Sequence, residues 1–338
     1  MVNPDTVVFI VNGGLGKCIA ATAVARNLKR QYDTAQLVVV SPHAAAWLGN
    51  PHVDFVIAPD RASNFYDQFI AGRKPLVLEP EPYRAMDYIL KRKHLVEVWC
   101  EQCGVSCDDP KPELHLFSKD RQFASRIVGQ LNKPIFLIQS VGGAPPETDD
   151  DEARFNAEHA MHKRSLPHEV AQGVVDRMRR DYVVVQVRDK HQRILNNSLQ
   201  VEGSPREIMA LIPYAEKMLF IDSFMQHAAA ALGKPAVVCW AGTSPDCLGY
   251  KLHTNLRRSV CETPECHRPN TFLFDQQVNG DVWNCPVGEA CRNYSVDEIV
   301  EALTGNMATT QGQLLINVDG KARISSNGSG VERVEVHP

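Results

Sequence analysis

Residues 220–235 read Phe220-Ile221-Asp222-Ser223-Phe224-Met225-Gln226-His227-Ala228-Ala229-Ala230-Ala231-Leu232-Gly233-Lys234-Pro235. An apolar strand, Met218–Ile221, runs into Asp222 and Ser223, two residue types that cap helix N-termini. An alanine-rich helix follows, ended by Gly233, and Pro235 opens the next apolar run. Strand, polar corner, helix, glycine and strand are the parts of a βαβ unit, which predicts a parallel sheet. The free amides at the start of such a helix attract anions, and His227 falls in its first turn.

The same grammar extends in both directions. Pro134–Gln139, Tyr182–Val187 and Pro235–Trp240 read as buried strands, with helical residues near 168–180 and a last helix over Ser295–Leu303. Toward the N-terminus, Val7–Val11, Gln36–Val40, Phe55–Ala58 and Pro75–Leu78 form a second set of short apolar runs. Ile19, Ala20, Ala23, Val24 and Leu28 recur at helical spacing between the first two. A length of 338 residues suits two domains. We expect an N-terminal Rossmann-like domain over 1–130 and a C-terminal one over 131–305. In such folds, ligands sit beyond the carboxyl ends of the strands, here in the cleft between two sheets. Residues 306–338 read as a polar tail or a small hairpin, in which Leu314–Val318 and Lys321–Ile324 flank an Asp319-Gly320 turn.

Composition removes several classes. With 36 Lys and Arg against 40 Asp and Glu, the net charge of −4 speaks against a protein that coats nucleic acid. No apolar run approaches the roughly 20 residues of a membrane span. The first residues lack the basic region of a signal peptide, so the expected compartment is the reducing cytoplasm.

Between the first strand and its helix lies Asn12-Gly13-Gly14-Leu15-Gly16-Lys17. A Walker loop would need glycine at position 11, which is Val11, and Ser or Thr at position 18, which is Cys18. The G-x-G-x-x-G dinucleotide fingerprint is absent too. Two readings stay open: a tight turn without a ligand, or a close approach of Gly13, Gly14 and Gly16 to a phosphate or sugar, with Lys17 adding a cation.

The segment 220–235 resembles the strand–DSG–x–x–H–x–A–A–A–L–G–K–P signature of the heptosyltransferase-like glycosyltransferases. Trp240-Ala241-Gly242-Thr243-Ser244-Pro245 is similar to that family's F-G-P-T-x-P loop. Lys163-Arg164-Ser165-Leu166-Pro167, after a strand ending in Ser140-Val141-Gly142-Gly143, is similar to its K-R-W-P element, and Gly14-Leu15-Gly16 to its G-x-G-D turn. The resemblance implies the GT-B architecture, two Rossmann-like domains facing across a cleft. It implies transfer of a sugar from a nucleotide-sugar donor to a hydroxyl of a glycan acceptor, by inversion and without a catalytic metal. Ser140, Lys163, Arg164, Asp222, Ser223 and His227 would surround the donor, opposite Gly13, Gly14 and Gly16. Cations and aimed amides are what a departing nucleoside diphosphate requires.

One position departs from the family. Where G-x-G-D places the expected base, this chain has Lys17, and a protonated amine cannot accept a proton. Glu79 and Glu81, just beyond the Pro75–Leu78 strand, are the carboxylates expected to supply a base. If none does, the chain is a nucleotide-sugar binding protein. A third version is a transferase acting on a modified nucleic-acid base. Cys261, Cys266, Cys285 and Cys291 place four thiols within 31 residues, an insert of the kind many members of this family carry. Structural zinc, disulfides and free thiols all stay open there, because the spacing is looser than that of zinc knuckles. Lys91-Arg92-Lys93-His94 reads as a solvated helix face.

Overall fold

The structure, a computed structural model, describes residues 3–142, 164–258 and 290–305, and the backbone of 313–316 and 322–325. Lys163, Cys261, Cys266 and Cys285 lie outside the described residues.

The first half builds a four-stranded parallel sheet from β1 (Thr6–Ile10), β2 (Gln36–Val40), β3 (Phe55–Ile57) and β4 (Pro75–Leu78), in the order β3-β2-β1-β4. Its helices are α1 (Leu15–Gln31), α2 (Phe65–Phe69), α3 (Met86–Ile89) and α4 (Leu95–Gln102). The connecting helix α5 (Ser118–Val128) leads to the second half. There β5 (Ile135–Ile138), β6 (Val183–Gln186), β7 (Leu199–Gln200), β8 (Ala215–Ile221), β9 (Val237–Trp240), β10 (Thr254–Arg258), β11 (Gln313–Ile316) and β12 (Ala322–Ser325) make one sheet. Its order is β12-β11-β10-β9-β8-β5-β6-β7, parallel except for β12, which pairs antiparallel with β11. The helices of this half are α6 (His168–Met178), α7 (Pro205–Met209), α8 (Phe224–Ala231), α9 (Pro245–Leu248) and α10 (Val296–Thr304). No helix among the described residues is long and apolar enough to cross a membrane.

Both sheets reverse their winding once, and that reversal positions the site. In the first, β1 lies between β2 and β4; in the second, β5 lies between β6 and β8. Connections leave to opposite sides at these points and open a crevice beyond the strand ends. Residues 11–14 and 79–81 border the first crevice; 139–142 and 222–223 border the second.

The halves share one apolar core. Phe9, Trp47 and Trp99 from the first half belong to the same buried cluster as Phe220, Met225 and Ala228 from the second. Helices α1 and α8 pack on each other across the junction. Ala20, Ala21 and Ala23 on α1, and Ala228 and Ala229 on α8, are fully buried, so small side chains here permit close approach. At Gly16 the approach is closest: an added Cβ would stand 3.1 Å from His227 Cδ2 and 3.4 Å from Phe224 Cα. A second tie lies on α7. Arg206, only 5% exposed, donates to Asp120 Oδ2 from Nε and Nη2 at 3.1 and 2.9 Å, and to the carbonyls of Ala45, Leu48 and His115. Its guanidinium also stacks 4.8 Å from the Phe117 ring centroid. All of its donor directions are used, which is how a buried guanidinium avoids an uncompensated desolvation cost.

The basic run 91–94 is not a helix face. Lys91 takes a left-handed φ of 55° just after α3, Lys93 is bound by Asp87 and Glu101 at 2.8 Å each, and His94 caps α4. Asp87 holds Lys93 in the turn, which breaks the helical register that the sequence suggested.

Candidate functional site

The glycine turn and the acidic loop meet at the first crevice. Lys17, in the first turn of α1, donates to Glu81 Oε2 at 2.8 Å. Its side chain is 9% exposed and its ammonium lies 5.0 Å from the Tyr83 ring centroid and 5.4 Å from that of Trp99. A lysine at a helix N-terminus opposes the helix dipole, so the carboxylate and the two aromatic faces supply the compensation. Glu81 also accepts from the Tyr83 amide at 3.3 Å. Glu79 is the freer carboxylate: its recorded partner is the Asn12 side-chain amide at 3.1 Å, in an exposed pairing. All three residues expected to bear on proton transfer, Lys17, Glu79 and Glu81, are thus brought to the glycine turn, although 64 residues separate Lys17 from Glu81 in sequence.

The second crevice holds Ser140, Arg164, Asp222 and Ser223. Ser140 and Asp222 are 3% and 5% exposed, at the carboxyl ends of β5 and β8. Arg164 donates from Nη1 to the Asp222 carbonyl at 3.2 Å and stands 3.9 Å from the Asp222 carboxylate. Burial raises the Asp222 pKa, with Arg164 pulling it back down. Two buried polar atoms beside this crevice have no partner among the described residues, Arg164 Nε and Gln139 Oε1. Ser223 is the N-cap of α8, yet its side chain makes no capping hydrogen bond, and Gly14 has none to offer α1. Both helices therefore present uncapped amides, and Gly16 packs against the first residue of α8. The two helix starts converge from opposite halves.

His227 sits behind this convergence as a neutral ring. Its Nδ1 lies 2.7 Å from the Tyr250 hydroxyl, and its Nε2 lies 3.0 Å from the Gln226 amide nitrogen, which also donates to the Leu248 carbonyl. Because the amide can only donate, His227 Nε2 accepts and Nδ1 carries the proton toward Tyr250. Burial, with His94 and His253 nearby, pushes the His227 pKa down to about 3. It therefore contributes no positive charge to a diphosphate; it orients Tyr250 and backs the Gly16 contact. Arg164 and the α8 amides are the positive groups on this side.

Tyr250, His94, His253 and Gln139 carried no signal in the sequence. The rings of Tyr250, His94 and His253 come together only through the meeting of α4, α8 and the segment after α9. Of the four cysteines of the insert, only Cys291 is described, and it is half-buried.

No protein-family model and no curated protein matches this sequence. Solved structures do match, and they define the class of fold: the GT-B architecture of heptosyltransferases. A family 9 glycosyl transferase from Veillonella parvula aligns with a TM-score of 0.63 at 12% identity, over 90% of this chain and 98% of that one. ADP-heptose lipopolysaccharide heptosyltransferase II of E. coli aligns with a TM-score of 0.56 at 14% identity, over 81% of this chain and 97% of that one. The iron-containing dodecameric glycosyltransferase TibC of enterotoxigenic E. coli reaches 0.63 at 14% identity, over 90% of this chain and 77% of that one. At such identities the similarity is one of fold.

Proposed function

We propose that this chain is a cytoplasmic glycosyltransferase that moves a sugar from a nucleotide-sugar, of the ADP-sugar type, to a hydroxyl on a glycan acceptor. The observation that carries the reading is the convergence of two uncapped helix N-termini at the switch points of two facing sheets, with Arg164 beside one of them. A likeness in fold to TibC, which has been solved in complex with ADP-D-beta-D-heptose, supports the donor class (TM-score 0.58, 14% identity).

In the reaction, an acceptor oxygen forms a bond to the anomeric carbon while the bond to the diphosphate breaks, inverting that carbon. Charge grows on the departing phosphate oxygens, where the α8 amides and Arg164 meet it, with Ser140, Ser223 and Lys163 as further contacts. The acceptor proton goes to Glu79. Glu81 is the poorer base, because its carboxylate is already occupied by the Lys17 ammonium and the Tyr83 amide. Lys17 acts by holding the loop of Glu81 against the glycine turn. No metal is needed in this scheme. Cys261, Cys266, Cys285 and Cys291 would hold a structural metal, zinc being the ion that four thiolates suit.

The test is thermal stabilisation by a panel of nucleotide-sugars, followed by release of nucleoside diphosphate with candidate acceptors. Glu79→Gln should abolish turnover and keep donor binding, while Glu81→Gln keeps measurable turnover. Binding of a donor without turnover by any acceptor would instead favour a nucleotide-sugar binding protein. Metal analysis of the purified chain checks the cysteine site: one equivalent supports it, and none refutes it.

A further inference from the structure

The end of α4 carries three thiols that the transferase reading does not use. Cys103 is the C-cap, Gly104 takes a left-handed φ of 69°, and the Val105 amide donates back to the Cys100 carbonyl at 3.0 Å. This reversal returns the chain alongside the helix and sets the Cys107 thiol in hydrogen-bond contact with that of Cys100. The segment beyond is pinned to α1. Arg26 donates to the carbonyls of Asp109 and Lys111 at 2.6 and 3.1 Å, and Arg30 pairs with Asp108. Cys100 is fully buried, with Asn27 donating to its sulfur at 3.8 Å, whereas Cys107 is only half-buried.

We propose that Cys107 and Cys100 are a peroxide-sensitive pair that closes reversibly to a disulfide, with Cys107 as the attacking thiol and Cys100 as the resolving one. The asymmetry of the two sites gives the order. The hydrogen bond from Cys100, with Arg26 acting in the same direction, lowers the Cys107 pKa against burial, Glu97 and Asp108, so half-buried Cys107 is the more accessible and more readily ionised sulfur. Cys103 is excluded from the first step: it is 5% exposed, and burial pushes its thiol up to about 12.

In that step the Cys107 thiolate attacks one oxygen of a hydroperoxide. A sulfur–oxygen bond forms, the oxygen–oxygen bond breaks, and the released alkoxide or hydroxide takes up a proton. Sulfur loses two electrons and the peroxide gains them, leaving a sulfenic acid. Cys100 then attacks that sulfur. The sulfur–sulfur bond forms and hydroxide leaves with the Cys100 proton as water. Two thiols and one hydroperoxide thus give one disulfide, one alcohol or water, and one further water. A thiol reductant reverses the change by exchange.

The whole chain is treated with hydrogen peroxide, alkylated in denaturant, and digested with trypsin and a glutamate-specific protease, which cuts after Glu101 between the two cysteines. The expected product is a linked pair of fragments two hydrogens lighter than their sum, bridging Cys100 and Cys107, with Cys103 alkylated and the link lost in dithiothreitol. Cys100→Ser should let dimedone add to Cys107. Because Cys100 is buried and its variant risks misfolding, Cys107→Ser serves as the second test and should leave Cys100 fully alkylated after peroxide. Recovery of both Cys100 and Cys107 as alkylated thiols in the oxidised wild type overturns the proposal, as does a bridge made through Cys103.

Discussion

Acid should destabilise this protein at the junction of its two halves, because three histidines are buried there as neutral rings. Burial pushes His227 down to about 3, and His94 and His253 to about 4, from 6.5. The folded values lie below the unfolded one, so the unfolded chain binds more protons between them. This contribution is fully present above about pH 6.5 and is lost as the pH falls toward about 4. At about pH 5, each ring costs the native state roughly 1.5 units of unfavourable titration, or about 2 kcal/mol. Three rings give about 6 kcal/mol, comparable with the whole stability of an ordinary domain. Asp222 works the other way, since its raised pKa returns stability as acid protonates it, but it is one group against three. Urea unfolding at about pH 8 and about pH 5 measures the difference, provided the denaturant slope stays constant. A loss below about 1 kcal/mol would refute the reasoning, as would native resonances of these three imidazoles titrating at the ordinary histidine value. His253→Gln should reduce the pH dependence by about a third, since it removes one of the three rings.

Arg206→Met should cost about 3–5 kcal/mol in chemical denaturation, because Asp120 is left buried without its partner, and Asp120→Asn added to it should recover part of the loss. Gly173→Ala places a Cβ 2.5 Å from Val296 Cγ2, so overpacking between α6 and α10 of about 1–3 kcal/mol should outweigh the roughly 1 kcal/mol that alanine gains in a helix. The melting temperature should fall, and Val296→Ala should restore it. Gly16→Ala drives a Cβ against His227, whose ring is held by Tyr250 and Gln226, so the two helix starts must part. Nucleotide-sugar binding by calorimetry should weaken about tenfold or more, a loss of about 1.4 kcal/mol.

Much of the fold is written in local patterns. The short β-branched runs around Val7, Leu37, Phe136, Val184 and Phe220 mark buried strands, because parallel strands covered on both faces cannot alternate polar with apolar residues. The glycines after β1 mark a strand-to-helix corner, and Gly233 with Pro235 a helix-to-strand one, for equally local reasons. The start of α8 was legible too, since Asp222 and Ser223 precede an alanine-rich helix at a strand's end. What needed the folded chain is every partnership between residues far apart in sequence. Lys17 finds Glu81, and His227 finds Tyr250, across separations of 64 and 23 residues. Asp120 finds Arg206 across 86 residues. No periodicity encodes such pairs; they follow from which side of β1 and β5 each connection takes. Desolvation likewise belongs to the assembled interior, and it keeps His227, which the motif places beside the donor, a neutral ring.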